Sequence, residues 1–298
     1  MKIVNRIALA LTFGLLAGAV HAQELTGTLK KIKDTGMITL GARESTAPFS
    51  YNLEGTQFVG YSVDIMMKVV EQLKTDLKIP NLQYRILPFT AQNRIALMQN
   101  GTLDLECSTT TNTEDRQKQV AFSNSIFIIG TRLLTAKDSG IKDFADLKGK
   151  NVSTTAGTTS ERLLNKVNED KKLGMNIIAA KENGQAFLSV DSGRAVAFMM
   201  DDAILYGERA KSKNAEKWHV VGTPQSREVY GCMMRKDDPA FKKTVDGVVA
   251  DLMKSGKIMP IYKKWFEAPI PPRQLMLDFP MSEDLKQLYA KPNDIAIQ

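Results

Sequence analysis

Apolar positions along this chain recur with two alternating periods. Short apolar or alternating runs at residues 37–42, 82–87, 103–107, 127–134, 151–155, 176–180, 195–200, 218–221 and 230–235 have the length and pattern of strands. Between them lie segments with apolar residues three and four apart. The clearest holds Ile65, Met66, Val69, Val70 and Leu73 on one face, with Ser62 placed to cap it. Thr90 is placed to cap another, running to about Asn100 and closed by Gly101. Further helices are expected over 28–34, 184–192, 203–211, from Pro239 with Phe241, Val245, Val248, Val249 and Leu252 on one face, and over 257–266. Residues 48–58 read as a loop or hairpin turning at Glu54-Gly55. The tail, with Pro269, Pro271 and Pro272, reads as an irregular wrap. Strand–helix alternation predicts an α/β fold with parallel sheets, in two successive units.

One stretch departs from this rhythm. Residues 108–116, Ser-Thr-Thr-Thr-Asn-Thr-Glu-Asp-Arg, follow a strand-like run and precede a short helix that Thr113 can cap. Hydroxyls, free backbone N–H groups and Arg116 would converge there, a combination suited to a small carboxylate. Residues 157–161, Gly-Thr-Thr-Ser-Glu, form a second hydroxyl-rich helix start after a strand. Ligands of open α/β sheets sit beyond the carboxyl ends of strands, so two facing units would bring both helix starts to one cleft.

The first 22 residues read as an export signal: Lys2 and Arg6, an apolar run from Ile7 to Val20, then Val20-His21-Ala22. A bilayer span needs about 20 apolar residues, more than this run supplies. Cleavage after Ala22 is expected, giving a protein soluble outside the cytoplasm. The formal charge of +7 then falls to +5 with the loss of Lys2 and Arg6. No basic block accompanies it, so no nucleic-acid partner is expected. Two cysteines, Cys107 and Cys232, allow one bridge. A single mature histidine, His219, argues against a histidine-based triad or zinc site, and no cofactor is expected.

These residues resemble the periplasmic solute-binding proteins of family 3, which serve ABC importers of polar amino acids. The markers are Gly60-Tyr61-Ser62-Val63-Asp64, Gly101-Thr102-Leu103-Asp104, Thr113-Glu114-Asp115-Arg116, Phe122-Ser123, Asp146-Leu147-Lys148-Gly149-Lys150, Gly157-Thr158-Thr159 and Tyr262-Lys263-Lys264-Trp265. Arg43-Glu44, Gln92-Asn93-Arg94 and Met199-Met200-Asp201-Asp202 are most similar to the glutamate/aspartate-binding members. The resemblance implies a type II two-lobed binding protein with a two-strand hinge. Lobe I would be residues 23–131 and 228–298, and lobe II residues 132–227. It also implies a periplasmic monomer that binds L-glutamate or L-aspartate and meets a membrane ABC permease.

By the same resemblance, Arg116 and backbone N–H groups near Thr111 and Thr158-Thr159 take the ligand's α-carboxylate. Thr109, Thr111 and Asp201 take its α-ammonium, and Arg43 and Arg94 its side-chain carboxylate. Asn183 stands where glutamate/aspartate binders carry histidine. It keeps hydrogen-bonding capacity without charge, which should make binding less sensitive to pH. The resemblance also places Cys107 and Cys232 on adjacent strands, where they would pair. Two alternatives remain: an enzyme on the same fold, of the cyclohexadienyl dehydratase type, or a binder of a neutral amino acid such as glutamine. For the enzyme, Glu44 and Glu161 are the carboxylates near the expected site loops besides Asp201.

Overall fold

The computed structural model describes residues 25–298 except 56, 273, 275 and 278. The expected signal segment therefore lies outside the described residues. Two five-stranded sheets organise the chain. The first has the order 83–88, 37–42, 105–106, 228–235, 120–129. The second has the order 176–180, 151–155, 197–201, 131–136, 218–221. Each is parallel over its first three strands and antiparallel beyond. The all-parallel expectation is thus corrected. The strands that follow a crossing between sheets, Thr131–Ala136 and Glu228–Arg235, both enter antiparallel to their neighbours.

The chain passes from the first sheet to the second at Gly130 and returns over residues 222–227. Residues 127–134, expected as one strand, are split there into Val120–Ile129 and Thr131–Ala136. A Cβ on Gly130 would lie 3.0 Å from Pro224 and 3.1 Å from the Ser226 carbonyl oxygen, so the two crossings run side by side.

Helices cover the sheets through the faces that the periodicity marked. Ile65, Met66, Val69, Val70 and Leu73 of the Tyr61–Asp76 helix are fully buried. Beneath the first sheet Phe49, Tyr61, Phe127, Tyr230, Tyr262 and Phe266 form one aromatic cluster with ring centroids 4.6–6.4 Å apart. Truncating a ring in such a cluster typically costs about 3–5 kcal/mol. The second sheet has its own core of Leu133, Phe144, Leu147, Val152, Leu164, Ala197 and Met199.

Three further expectations fail. Ser62 does not cap its helix; its hydroxyl donates to the Ser108 carbonyl at 3.0 Å, tying the helix start to the hydroxyl-rich stretch. Thr90 caps nothing either. It and Asn93 exchange hydrogen bonds across a turn, and the helix begins at Arg94. The tail is not wholly irregular: Ser282 caps a helix, Glu283–Ala290, which buries Leu285, Leu288 and Tyr289. No described helix is long and apolar enough to cross a membrane.

Candidate ligand-binding site

Seven charged side chains converge between the two sheets. Arg43 follows the first strand, Met37–Ala42, Arg94 opens the Arg94–Gln99 helix, and Arg116 lies in the one-turn helix Glu114–Gln117. All three guanidiniums are buried, at 2%, 3% and 6% exposure. Glu106 comes from the middle of the first sheet, Glu228 from the returning strand, Asp201 from the end of a strand in the second sheet, and Glu182 from the turn after another. Burial on this scale is tolerated only among opposite charges and hydrogen bonds.

At one end, Arg116 Nη1 donates to the Thr111 carbonyl at 2.8 Å, which fixes the guanidinium against the hydroxyl-rich stretch. Thr113 accepts from the Arg116 backbone N–H, as the capping pattern predicts. The stretch offers fewer free N–H groups than expected. The N–H groups of Asn112, Glu114 and Arg116 go to the Val229 carbonyl, the Ile297 carbonyl and the Thr113 hydroxyl. With a single helical turn, the dipole contributes little, and the guanidinium carries the attraction for an anion. Arg116 is pushed down to about 10, first by burial and then by the nearby Arg162.

Facing it, Asp201 is fully buried, accepting from the Ser160 hydroxyl at 3.0 Å and from the Tyr230 hydroxyl. Burial and the neighbouring Glu228 push its carboxyl up to about 8, against the lowering effect of those two hydroxyls. Glu228 accepts from Thr159 at 2.9 Å and Ser226 at 2.8 Å. Thr159 and Thr111 approach to 3.3 Å, a contact between the two helix starts. The hydroxyl of Thr158 is used up in capping: it donates to the Thr155 carbonyl and accepts from the Glu161 N–H. Glu161 itself accepts from the Gly157 N–H at 2.7 Å, completing that helix start.

Arg94, whose foremost charged neighbour is Arg116, donates from Nη1 to the Thr110 hydroxyl at 3.0 Å, and that hydroxyl donates to Glu106 Oε2 at 2.9 Å. Arg43 Nη2 is ion-paired at 2.6 Å with Glu182, which also accepts from Ser45 at 3.1 Å. Asn183 is held by Thr46 at 3.1 Å and Thr155 at 2.6 Å, so its amide links the short strand Ser45–Thr46 to the strand Asn151–Thr155. Thr109 lies in the same buried stretch.

The structure therefore brings Arg43, Arg94, Thr111, Arg116, Thr159, Asn183 and Asp201 into the buried polar region between the two sheets. It adds Glu106, Glu182 and Glu228, which sequence reasoning missed. A signal existed for two of them: Glu106 interrupts the run 103–107, and Glu228 opens the apolar run that follows it. Acids inside strands demand partners. Glu44, expected near the site, is exposed. Among the described residues no group of three or more His, Cys, Asp or Glu could hold a metal ion. Cys107 and Cys232, on the strands paired through Glu106 and Met233, are disulfide-bonded.

Comparison with known proteins agrees with this architecture. The model of the bacterial extracellular solute-binding proteins, family 3, matches residues 38–268. The L-glutamate/L-aspartate-binding protein of Pseudomonas aeruginosa is 59% identical over 98% of this chain and 97% of its own length. The glutamate/aspartate import solute-binding protein of Escherichia coli is 53% identical over 98% and 96%. The solved structure of an ancestral arginine-binding protein bound to arginine superposes with a TM-score of 0.69 at 29% identity, over 78% of this chain and 98% of that one. The fold is that of the two-lobed amino-acid-binding proteins, and the chain belongs to the bacterial extracellular solute-binding proteins of family 3.

Proposed function

We propose that this protein captures L-glutamate or L-aspartate between two lobes and delivers it to an ABC importer, without chemistry of its own. The observation that carries the reading is the clustering of three buried guanidiniums, Arg43, Arg94 and Arg116, with the buried Asp201 acting on Arg116. An acidic amino acid presents one cation and two carboxylates. Asp201 suits the α-ammonium with Thr109 and Thr111, Arg116 the α-carboxylate with N–H groups of the two helix starts at Thr111 and Thr158-Thr159, and Arg94 and Arg43 the second carboxylate. Asn183 supports that end by holding Thr46. The names of the relatives support the same ligand class and its import.

In this reading residues 1–22 direct export to the periplasm and are removed. Residues 23–131 and 228–298 form lobe I, residues 132–227 form lobe II, and Gly130 with 222–227 forms the hinge. The monomer closes on its ligand and docks on the permease. A neutral ligand such as glutamine is the second reading, favoured by Glu182 on Arg43 and Glu106 behind Arg94, which offset part of the positive charge. A dehydratase is disfavoured, because an aromatic product would meet these guanidiniums rather than an apolar pocket.

A thermal-shift screen with the common amino acids tests the proposal. Ligand at about 100 times its dissociation constant adds roughly 2.7 kcal/mol of stability. Glutamate or aspartate should give the largest shifts; a larger shift with glutamine or arginine contradicts the acidic assignment.

A further inference from the structure

Glu106 is fully buried in the central strand region of the first sheet. Its Oε2 is tied through the Thr110 hydroxyl to Arg94, at 2.9 Å and 3.0 Å. Its Oε1 and the Arg94 Nε are both enclosed and have no hydrogen-bond partner. The charged groups that act on it are Arg94 from its helix, Arg43 from just after the first strand and Arg116 from the hydroxyl-rich stretch. Glu106 is therefore the acid set directly behind the guanidinium assigned to the ligand's second carboxylate.

We propose that Glu106 is a specificity-determining residue, the counter-ion of Arg94 that takes up a proton from solvent when an acidic ligand is seated. The preference for glutamate over glutamine then weakens as the solution becomes more basic. This rests on the reading that Arg94 meets the ligand's side chain. A second carboxylate and an ionised Glu106 compete for one guanidinium, and protonating Glu106 removes the competition. Burial, opposed by the three arginines, already holds Glu106 at about 7, within reach of such a change. Glu106 thus supplies a titrating group near the side-chain end, where Asn183 provides none.

Calorimetric titration with glutamate and with glutamine at pH 6, 7 and 8 tests this, in buffers of differing ionisation heat so that protons are counted. The two ligands share their α-groups, so contributions from Arg116, Asp201 and Glu228 cancel in the affinity ratio. If the bound ligand raises Glu106 by about one unit, the glutamate-to-glutamine ratio falls roughly fivefold from pH 6 to 8, and glutamate takes up about half a proton more than glutamine near pH 7.5. In Glu106→Gln the ratio should be flat with pH and, at pH 8, higher than in the wild type. The wild-type proton count carries the test alone should that variant fail to fold. A wild-type preference for glutamate that is flat with pH, with no extra proton, overturns the role of Glu106 and leaves the acidic assignment standing. No wild-type preference for glutamate at any pH overturns the assignment and this inference together.

Discussion

The backbone of Gly207 packs so closely against Ala47 that a Cβ built on it would lie 2.2 Å from the Ala47 carbonyl oxygen. Gly207 belongs to the Asp202–Lys211 helix beside the second sheet, and Ala47 to the loop between two short strands beside the first. The contact therefore joins a helix beside the second sheet to a loop beside the first. A second such approach sets Gly157 against Gln92, at 2.8 Å to its side chain and 2.9 Å to its backbone. Within a helix, glycine to alanine normally stabilises by about 1 kcal/mol. Gly207→Ala should instead prop the lobes apart. Small-angle scattering should show the wild type compacting with glutamate and Gly207→Ala compacting less, with glutamate and glutamine both weakened at least tenfold. Unchanged compaction in the variant would show that the contact does not belong to closure.

Arg94 should read the ligand's side chain rather than its α-groups. Arg94→Ala removes a cation that a second carboxylate needs, a loss of about 2–5 kcal/mol for glutamate, with a much smaller effect on glutamine. Calorimetry on both ligands with wild type and variant measures the difference. Equal losses would assign the side-chain carboxylate to Arg43 alone.

The Cys107–Cys232 bridge closes a loop with a sequence separation of 125, directly under the hydroxyl-rich stretch. Restraint of a loop that long is worth about 2–5 kcal/mol of stability. Replacing both cysteines with alanine should lower the melting temperature by several degrees. Thiol titration of denatured, unreduced wild type should find no free thiol at these positions.

Buried carboxyls give the unliganded protein a definite pH response. Asp201 at about 8, Glu106 at about 7 and Asp202 at about 6 are all raised above their unfolded values, chiefly by burial. A raised acid contributes stability that is complete below the unfolded value and lost as pH climbs through the folded value. The window here runs from about pH 4 to 8. Calorimetric melting without ligand should therefore give a lower midpoint at pH 8.5 than at pH 6 from these groups, and Asp201→Asn should flatten the slope. A midpoint that rises over this window would contradict the assignment of Asp201 as a buried, destabilised carboxylate.

Much of this molecule was legible in the sequence where a local rule acts alone. The Ile65–Leu73 face, the Thr113 cap, the helix start at 157–161 and the alternation of strands and helices follow from periodicity and capping chemistry. The parts that stayed hidden depend on distant chain. Ser62 gave up its cap for the Ser108 carbonyl, 46 positions away. The N–H groups of the ligand stretch are taken partly by the far tail, where Ile297 pairs with Thr113. The charge count at the side-chain end could not be read at all from Arg43 and Arg94. It depends on Glu182, 139 residues from Arg43, and on an acid inside a central strand.

Three buried guanidiniums and Asp201 suit the site to a ligand with two carboxylates and one ammonium. Isothermal titration of the mature protein with glutamate, aspartate, glutamine and arginine at pH 6 measures this most directly. Glutamate or aspartate should bind at least tenfold more tightly than glutamine, and arginine should show no competing affinity. Glutamine or arginine binding as tightly as both acidic ligands would contradict it.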